Sequence, residues 1–241
     1  MSTPRIFAVL GAGGGCGKLA VAQLAAASLT VRAIVRDPAK YAGAFPDGVD
    51  VRAGDVTSSS SLRAALSGGV THVLFAASNK GFYGAREVDE AGLGNTAAVC
   101  KELNVAHLVV ISSGLVHPSQ RWHPIRLLLN NVASWGIMDA KWAGECLLRA
   151  SGQPYTIVRP GGLGDGPPQR GTRRILVAQN RSKSIPLTAR TISRDDVAAV
   201  CVAAFAYDDA LNATVEIGVS TADGGAPSDL STLFSAVVAD T

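Results

Sequence analysis

Aromatic residues are scarce, at 5% of the chain, and the tract from Gly166 to Arg194 contains none of them. Stacking platforms for single-stranded nucleic acid need such rings, so RNA or DNA is not the expected partner. A formal charge of +3 is too small to announce one. Only four cysteines occur, Cys16, Cys100, Cys146 and Cys201, and no two form a CxxC pair. This excludes a zinc ribbon and a small disulfide framework, and reads as reduced thiols with no metal site. Long apolar runs are missing too: none reaches the roughly 18 residues of a membrane-spanning helix. Met1–Leu10 has neither the longer apolar core nor the small-residue cleavage site of a secretory signal. The expected location is the cytoplasm or an organelle stroma.

Apolar residues, by contrast, make up 47% of the chain against 17% charged, enough for a packed core. Short apolar runs alternate with helical patterns. Strands are expected at Ile6–Leu10, Val31–Arg36, Val49–Ala53, His72–Ala77, Ala106–Ser112, Tyr155–Arg159 and Thr214–Gly218. Helices are expected at Lys18–Ser28, around Leu62–Leu66, at Val88–Leu103, Asp139–Ala150 and Asp195–Ala206, and at Leu230–Val238. Repeated strand–helix–strand order implies a parallel sheet covered on both faces. Strands apolar on both alternating faces, such as Val73–Ala77, agree with that cover. No repeat or linker divides the chain, and Gly161–Pro168 reads as a loop within one domain spanning residues 1–241.

The sharpest local signal is Gly11-Ala-Gly-Gly-Gly-Cys-Gly17, directly between the first strand and the first helix. Gly11, Gly14 and Gly17 give a GxxGxxG spacing. Gly11 can turn sharply, Gly14 leaves room for a pyrophosphate, and Gly17 allows close helix packing. The helix start, with Gly13, Gly15 and Cys16, offers free amides and a positive dipole end to an anion. A Walker site is excluded, because Lys18 is followed by Leu19.

Arg36 and Asp37 end the second strand. A basic residue here accommodates the 2′-phosphate of NADP, whereas an acid grips the ribose of NAD. Arg36 comes first and can form a two-pronged pair with phosphate, so NADP is favoured over NAD. Asp37 is expected to cap the turn into Pro38. Asp55 is placed either to accept from the adenine amino group, with Val56 packing on the ring, or to cap the turn before Thr57. Ala76, Ala77 and Ser78 are small enough to leave room for the cofactor's ribose.

With these pieces assembled, the chain resembles the atypical short-chain dehydrogenase/reductase family, in its NAD(P)H-binding, NmrA-like branch. Beyond Gly11–Gly17, Arg36 and Gly54-Asp55, the likeness is carried by Val110-Ile-Ser-Ser-Gly114, Lys141-Trp-Ala-Gly-Glu145, Ser151–Gly162 and Ile192-Ser-Arg-Asp-Asp-Val-Ala198. The resemblance implies an α/β, Rossmann-like doubly wound parallel sheet. It also implies a small C-terminal substrate region, expected mainly at about 163–194 and 218–241. In the wider superfamily a tyrosine donates the proton, a lysine four residues later lowers its pKa and holds the nicotinamide ribose, and a serine orients the oxygen. Lys141 matches the lysine, and Ser112 and Ser113 match the serine strand end. The tyrosine position is Ile137, which cannot donate a proton. The family also implies that Pro160, Gly161, Gly162 and Leu163 meet the nicotinamide end.

Five other side chains are alternatives for the acid. Tyr155 begins a buried strand, Tyr83 lies in the loop after the fourth strand, Asp139 faces away from Lys141, and His117 and His123 flank a loop. Hydride transfer can also take its proton from water. The basic tract Arg170, Arg173, Arg174, Arg181, Lys183, Arg190 and Arg194 reads as a solvated face, or as a surface for an anionic substrate, protein partner or RNA. Arg194 is expected to pair with the adjoining Asp195-Asp196. The leading reading is an NADP-dependent oxidoreductase acting on a small carbonyl or quinone-like molecule, as monomer or homodimer. The alternative is a non-catalytic NADP(H)-binding redox sensor or scaffold.

Overall fold

The computed structural model describes residues 5–79, 81–179, 191–220 and 228–240. The strands are β1 (Ile6–Leu10), β2 (Thr30–Val35), β3 (Asp50–Ala53), β4 (Val70–Phe75), β5 (His107–Ile111), β6 (Tyr155–Pro160), β7 (Gly162–Gly164), β8 (Ile175–Ala178), β9 (Thr191–Ser193) and β10 (Ala213–Val219). The helices are α1 (Gly15–Ala26), α2 (Ser59–Leu66), α3 (Gly92–Glu102), α4 (Pro124–Leu128), α5 (Ile137–Ser151) and α6 (Arg194–Ala204). Eight strands form one sheet in the order β3-β2-β1-β4-β5-β6-β10-β8. All pairs are parallel except β10 with β8. The order reverses between β1 and β4, the crevice where Rossmann-like sheets bind ligands.

The two faces of the sheet have separate cores. Val9, Leu74, Val109, Val158 and Val215 pack with α1 and α6 on one side. Leu10, Phe75, Leu108, Val110 and Ile157 pack with α2, α3 and α5 on the other. Neighbours in one strand thus point to opposite apolar layers, which is why these strands read as continuous apolar runs.

Three expectations need correction. Leu230–Val238 is not an α-helix: only Leu230–Thr232 forms a 3₁₀ turn. The hydroxyls of Ser231, Thr232 and Ser235 bond to nearby Asp229 and Thr232 oxygens, competing with helical bonding. The stretch Gly161–Pro168 is not all loop, since Gly162–Gly164 pairs in parallel with β9. Arg194 does not pair with its neighbours Asp195 and Asp196. Arg170 takes both carboxylates, and Arg194 pairs with Asp165. Arg181, Lys183 and Arg190 lie outside the described residues.

Candidate functional site

The parallel strands deliver their C-terminal ends to one rim. Backbone bonds extend the ladders past them and fix the loops: Ala76 N donates to Leu10 O at 2.9 Å, Gly54 N to Val35 O at 2.9 Å, and Ser112 N to Val158 O at 2.8 Å. Gly11, Gly13, Gly14, Arg36, Asp55, Val56, Ala76, Ala77 and Ser78 thereby line one cleft of about 310 Å³. Sequence reasoning missed Tyr41, Asn79 and Val88, which line it too.

The glycine turn is shaped for close approach. Gly11 has φ +75°, and a Cβ on it would lie 2.7 Å from the Ala77 backbone. A Cβ on Gly17 would collide with the Gly11 carbonyl, so this glycine serves the packing of the turn on itself. Gly13 carries the Tyr41 ring, where a side chain would collide. A Cβ on Gly14 would meet only the Gly11 carbonyl oxygen, at 3.2 Å. The first intrahelical bond of α1 is Lys18 N to Gly14 O, 2.9 Å. The amides of Gly15, Cys16 and Gly17 precede it, and the first turn holds no acid. Free amides, an open glycine face and a cleft of this size fit a dinucleotide's diphosphate and adenosine half.

Arg36 is exposed at the mouth of this cleft. Asp37 turns to Lys40 at 3.3 Å, beside the 3₁₀ turn that Pro38 opens. The Asp55 carboxylate accepts from the Thr57 amide (2.9 Å) and hydroxyl (2.8 Å), so the turn-capping role is realised. Ser58 caps α2. Val56 is buried and packs against Gly92, where a Cβ would come within 2.9 Å.

The Lys141-Trp-Ala-Gly-Glu145 motif makes separate contacts through Lys141, Gly144 and Glu145. Lys141 Nζ donates to Asp89 Oδ1 at 2.8 Å. The lysine side chain is 13% exposed and the aspartate is fully enclosed. Ser78 Oγ donates to the same oxygen at 2.8 Å, and Asn79 N to Oδ2 at 2.9 Å. Gly144 lets α5 pack directly on the Asp89 carbonyl. Glu145 accepts from Ser112 Oγ (2.6 Å) and from both prongs of Arg159 (3.0 and 2.5 Å). Ser112 is therefore buried and committed, whereas Ser113 is half-buried at the rim.

Asp89, which holds Lys141, is a further residue that sequence reading overlooked. A π-helical turn, Arg86–Ala91, leads into α3 and holds it buried. The neighbouring Glu90 is also an acid, so nothing local marks which of the two is enclosed.

The remaining candidates separate. Ile137 opens α5, buried against Ala85 and Val116. Asp139 pairs with Arg126 at 2.5 Å, on a different face from Lys141. The Tyr155 hydroxyl donates to Asp240 at 2.9 Å, and burial first, then this bond, push its pKa up to about 12. Tyr155 begins β6, so it lies at the far end of the sheet from the rim. Pro160 closes β6, and its carbonyl accepts from Gly114 N at 2.9 Å, joining the ends of β5 and β6. Gly161, Gly162 and Leu163 continue from it into β7, with Gly162 and Leu163 exposed. Tyr83 is exposed and, with Glu87, Asn130 and Trp135, lines a second hollow of about 350 Å³. His117 lies edge-on to the Trp142 ring. His123 Nδ1 is buried with no hydrogen-bond partner. Of the C-terminal substrate region expected over 218–241, Asp240 instead bonds to Tyr155 and Thr214, away from the rim.

Among the described residues no group of His, Cys, Asp or Glu could hold a metal ion, and no helix is long and apolar enough to cross a membrane. All four cysteines are free.

Comparison with known proteins agrees with the geometry. Residues 11–208 match the family described as NAD(P)H-binding. An uncharacterized chloroplastic protein of Arabidopsis thaliana is 33% identical over 227 residues, covering 90% of this chain and 77% of that protein. Sanguinarine reductase of Eschscholzia californica is 33% identical over 153 residues, 63% of this chain and 52% of the reductase. An anaerobilin reductase from Escherichia coli O157:H7 shares the fold, with TM-score 0.73 at 19% identity, over 92% of this chain and 100% of that one. The chain therefore belongs to the NAD(P)H-binding family.

Proposed function

We propose that the protein is an NADP(H)-dependent oxidoreductase that reduces a small carbonyl or quinone-like substrate. The observation that carries the cofactor choice is Arg36, exposed at the cleft mouth with no carboxylate pairing it among the described residues, while Asp37 is turned to Lys40. In this reading the amides of Gly13, Gly15, Cys16 and Gly17 take the diphosphate, with Gly11 shaping the turn and Gly14, whose amide donates to the Gly11 carbonyl at 2.9 Å, leaving the open face against it. Arg36 takes the 2′-phosphate. Val56 packs on the adenine beside Asp55. Ala76, Ala77 and Ser78 border the ribose. Ser112 sets the end of β5 through Glu145, and Pro160, Gly161, Gly162 and Leu163 border the nicotinamide.

The bound dinucleotide supplies a hydride. Ser113 orients the substrate oxygen. Lys141 holds an ammonium proton at Nζ, and Asp89 fixes its direction. Ile137 leaves the usual acid position apolar, so the reduced oxygen takes its proton from water. Quinones suit such a site, because they accept hydride readily and need little help from a protein acid. The aromatic rim of Tyr83 and Trp135 suits a flat conjugated molecule, and two relatives are named as reductases of sanguinarine and anaerobilin. The name of the chloroplastic relative agrees with an organelle stroma, the cytoplasm being the other location.

Titration calorimetry tests the cofactor. NADPH is expected to bind at least tenfold tighter than NADH, and Arg36→Ala to erase the difference. Equal affinities in the wild-type protein would overturn the choice. Ile137 also favours a second reading, a non-catalytic NADP(H)-responsive sensor or scaffold. Tight NADPH binding without consumption by any carbonyl or quinone would select it.

A further inference from the structure

The turn Gly11-Ala-Gly-Gly-Gly-Cys-Gly17 holds more glycine than its GxxGxxG spacing requires. Gly15 is the first residue of α1, where an ordinary side chain would extend the helix without strain. Its surroundings give the reason for the glycine. A Cβ there would fall 2.7 Å from Cδ and 3.1 Å from Nε of Arg194. The arginine side chain crosses the start of α1 through space that a Cβ would enter.

This places a guanidinium beside a helix N-terminus, two positive features together. A nearby anion must answer them. Asp195 and Asp196, the next residues on α6, are held by Arg170. Asp196 also accepts from Ser193 and from the Gln169 amide. The anion paired with Arg194 is Asp165, just beyond β7. Its side chain is 88% exposed, and that of Arg194 is 29% exposed. The Cys16 thiol, in the first turn of α1, lies within the fields of both. A carboxylate that open to water binds a guanidinium weakly. A diphosphate seated on the α1 amides would bring more charge and a two-pronged acceptor to the same place.

We infer that Arg194 is a diphosphate ligand of this site, and that Asp165 stands in for the diphosphate until the dinucleotide arrives. The inference rests on the dinucleotide reading above and adds a residue that the glycine fingerprint does not contain. It also gives the pair a consequence. Once Arg194 turns to the diphosphate, Asp165 loses its tie to α6, while Arg170 keeps the following chain on that helix.

Two probes separate this role from a structural one. NADPH carries the diphosphate; adenosine 2′-monophosphate carries the base, ribose and 2′-phosphate without it. Calorimetry on the folded full chain is expected to show Arg194→Gln weakening NADPH about tenfold, the size of one charge-assisted hydrogen bond. Adenosine 2′-monophosphate should bind unchanged. Arg194→Lys should recover part of the loss. Asp165→Asn should tighten NADPH about threefold by removing the competing anion, and do nothing in the Arg194→Gln background. The inference fails if Arg194→Gln binds NADPH like the wild type, or if it weakens both probes equally. If Arg194→Gln does not fold, Asp165→Asn decides alone, and unchanged NADPH affinity in it overturns the proposal. Wild-type protein that binds neither probe would instead remove the dinucleotide reading itself.

Discussion

The two ends of the sheet spend their polar groups in opposite ways. At the N-terminal ends of the strands they are tied to one another. The His72 ring meets Thr71 Oγ1 at 2.8 Å, and that of His107 meets Thr156 Oγ1 at 2.8 Å. Gln153 donates to the Val105 carbonyl at 2.9 Å, and Tyr155 to Asp240. At the C-terminal rim the helix amides of Gly15–Gly17 and the Arg36 guanidinium face outward, and Arg194 holds an exposed carboxylate. One end closes the fold and the other is left open to bind. Unsatisfied donors at a solvated rim cost little and become useful when an anion arrives, whereas at the buried end each would cost on the order of 1–3 kcal/mol.

Four changes would break or sharpen this contrast. The largest effect should come from Asp89, a fully enclosed carboxylate at the open end. Asp89→Ala leaves Lys141 unpaired and should cost about 3–5 kcal/mol in urea unfolding. Lys141→Met in the same chain should restore much of that, and strict additivity of the two losses would show the pair to be unimportant. Gly11→Val should follow, at about 3 kcal/mol, because a side chain at φ +75° must also displace the Ala77 backbone. The same variant should lose NADPH binding in calorimetry.

The closed end answers to acid. Burial pushes the pKa of His107 down to about 3 and that of His72 down to about 4. Below pH 6.5 the unfolded chain binds protons that the folded chain refuses, so stability falls as pH falls through that window. His107 alone should remove about 2 kcal/mol at pH 5 relative to pH 7. Thermal melts across pH 4–7 check this, and a flat profile would contradict the buried neutral rings. The smallest effect is expected from Tyr155→Phe: about 1 kcal/mol of stability, with NADPH affinity and turnover unchanged. A drop in turnover would place Tyr155 functionally at the wrong end.

How far the sequence could be read follows the same division. Strands such as β1, β4 and β5 are buried on both faces and announce themselves as apolar runs. The glycine turn is equally legible, because only glycine tolerates its geometry. The harder parts depend on distant partners. Asp89 lies 52 positions from Lys141, and nothing beside it in the chain marks its burial. β8 is four apolar residues close behind Arg173 and Arg174, and reads as part of a basic tract. β7 and β9 have three residues each, too few for a period to emerge. The C-terminal segment misleads in the other direction: its apolar spacing suggests a helix, but its serines and threonines bond locally instead.

The outermost strands carry a last consequence. β3 has four residues and presents Asp50 and Arg52, which pair at 2.8 Å. At the opposite margin β8 runs antiparallel to its one neighbour in the sheet, β10, and is equally brief. Short, charged or reversed margins make poor templates for another chain's backbone. The sheet can thus stay large and apolar inside without recruiting strangers along its sides.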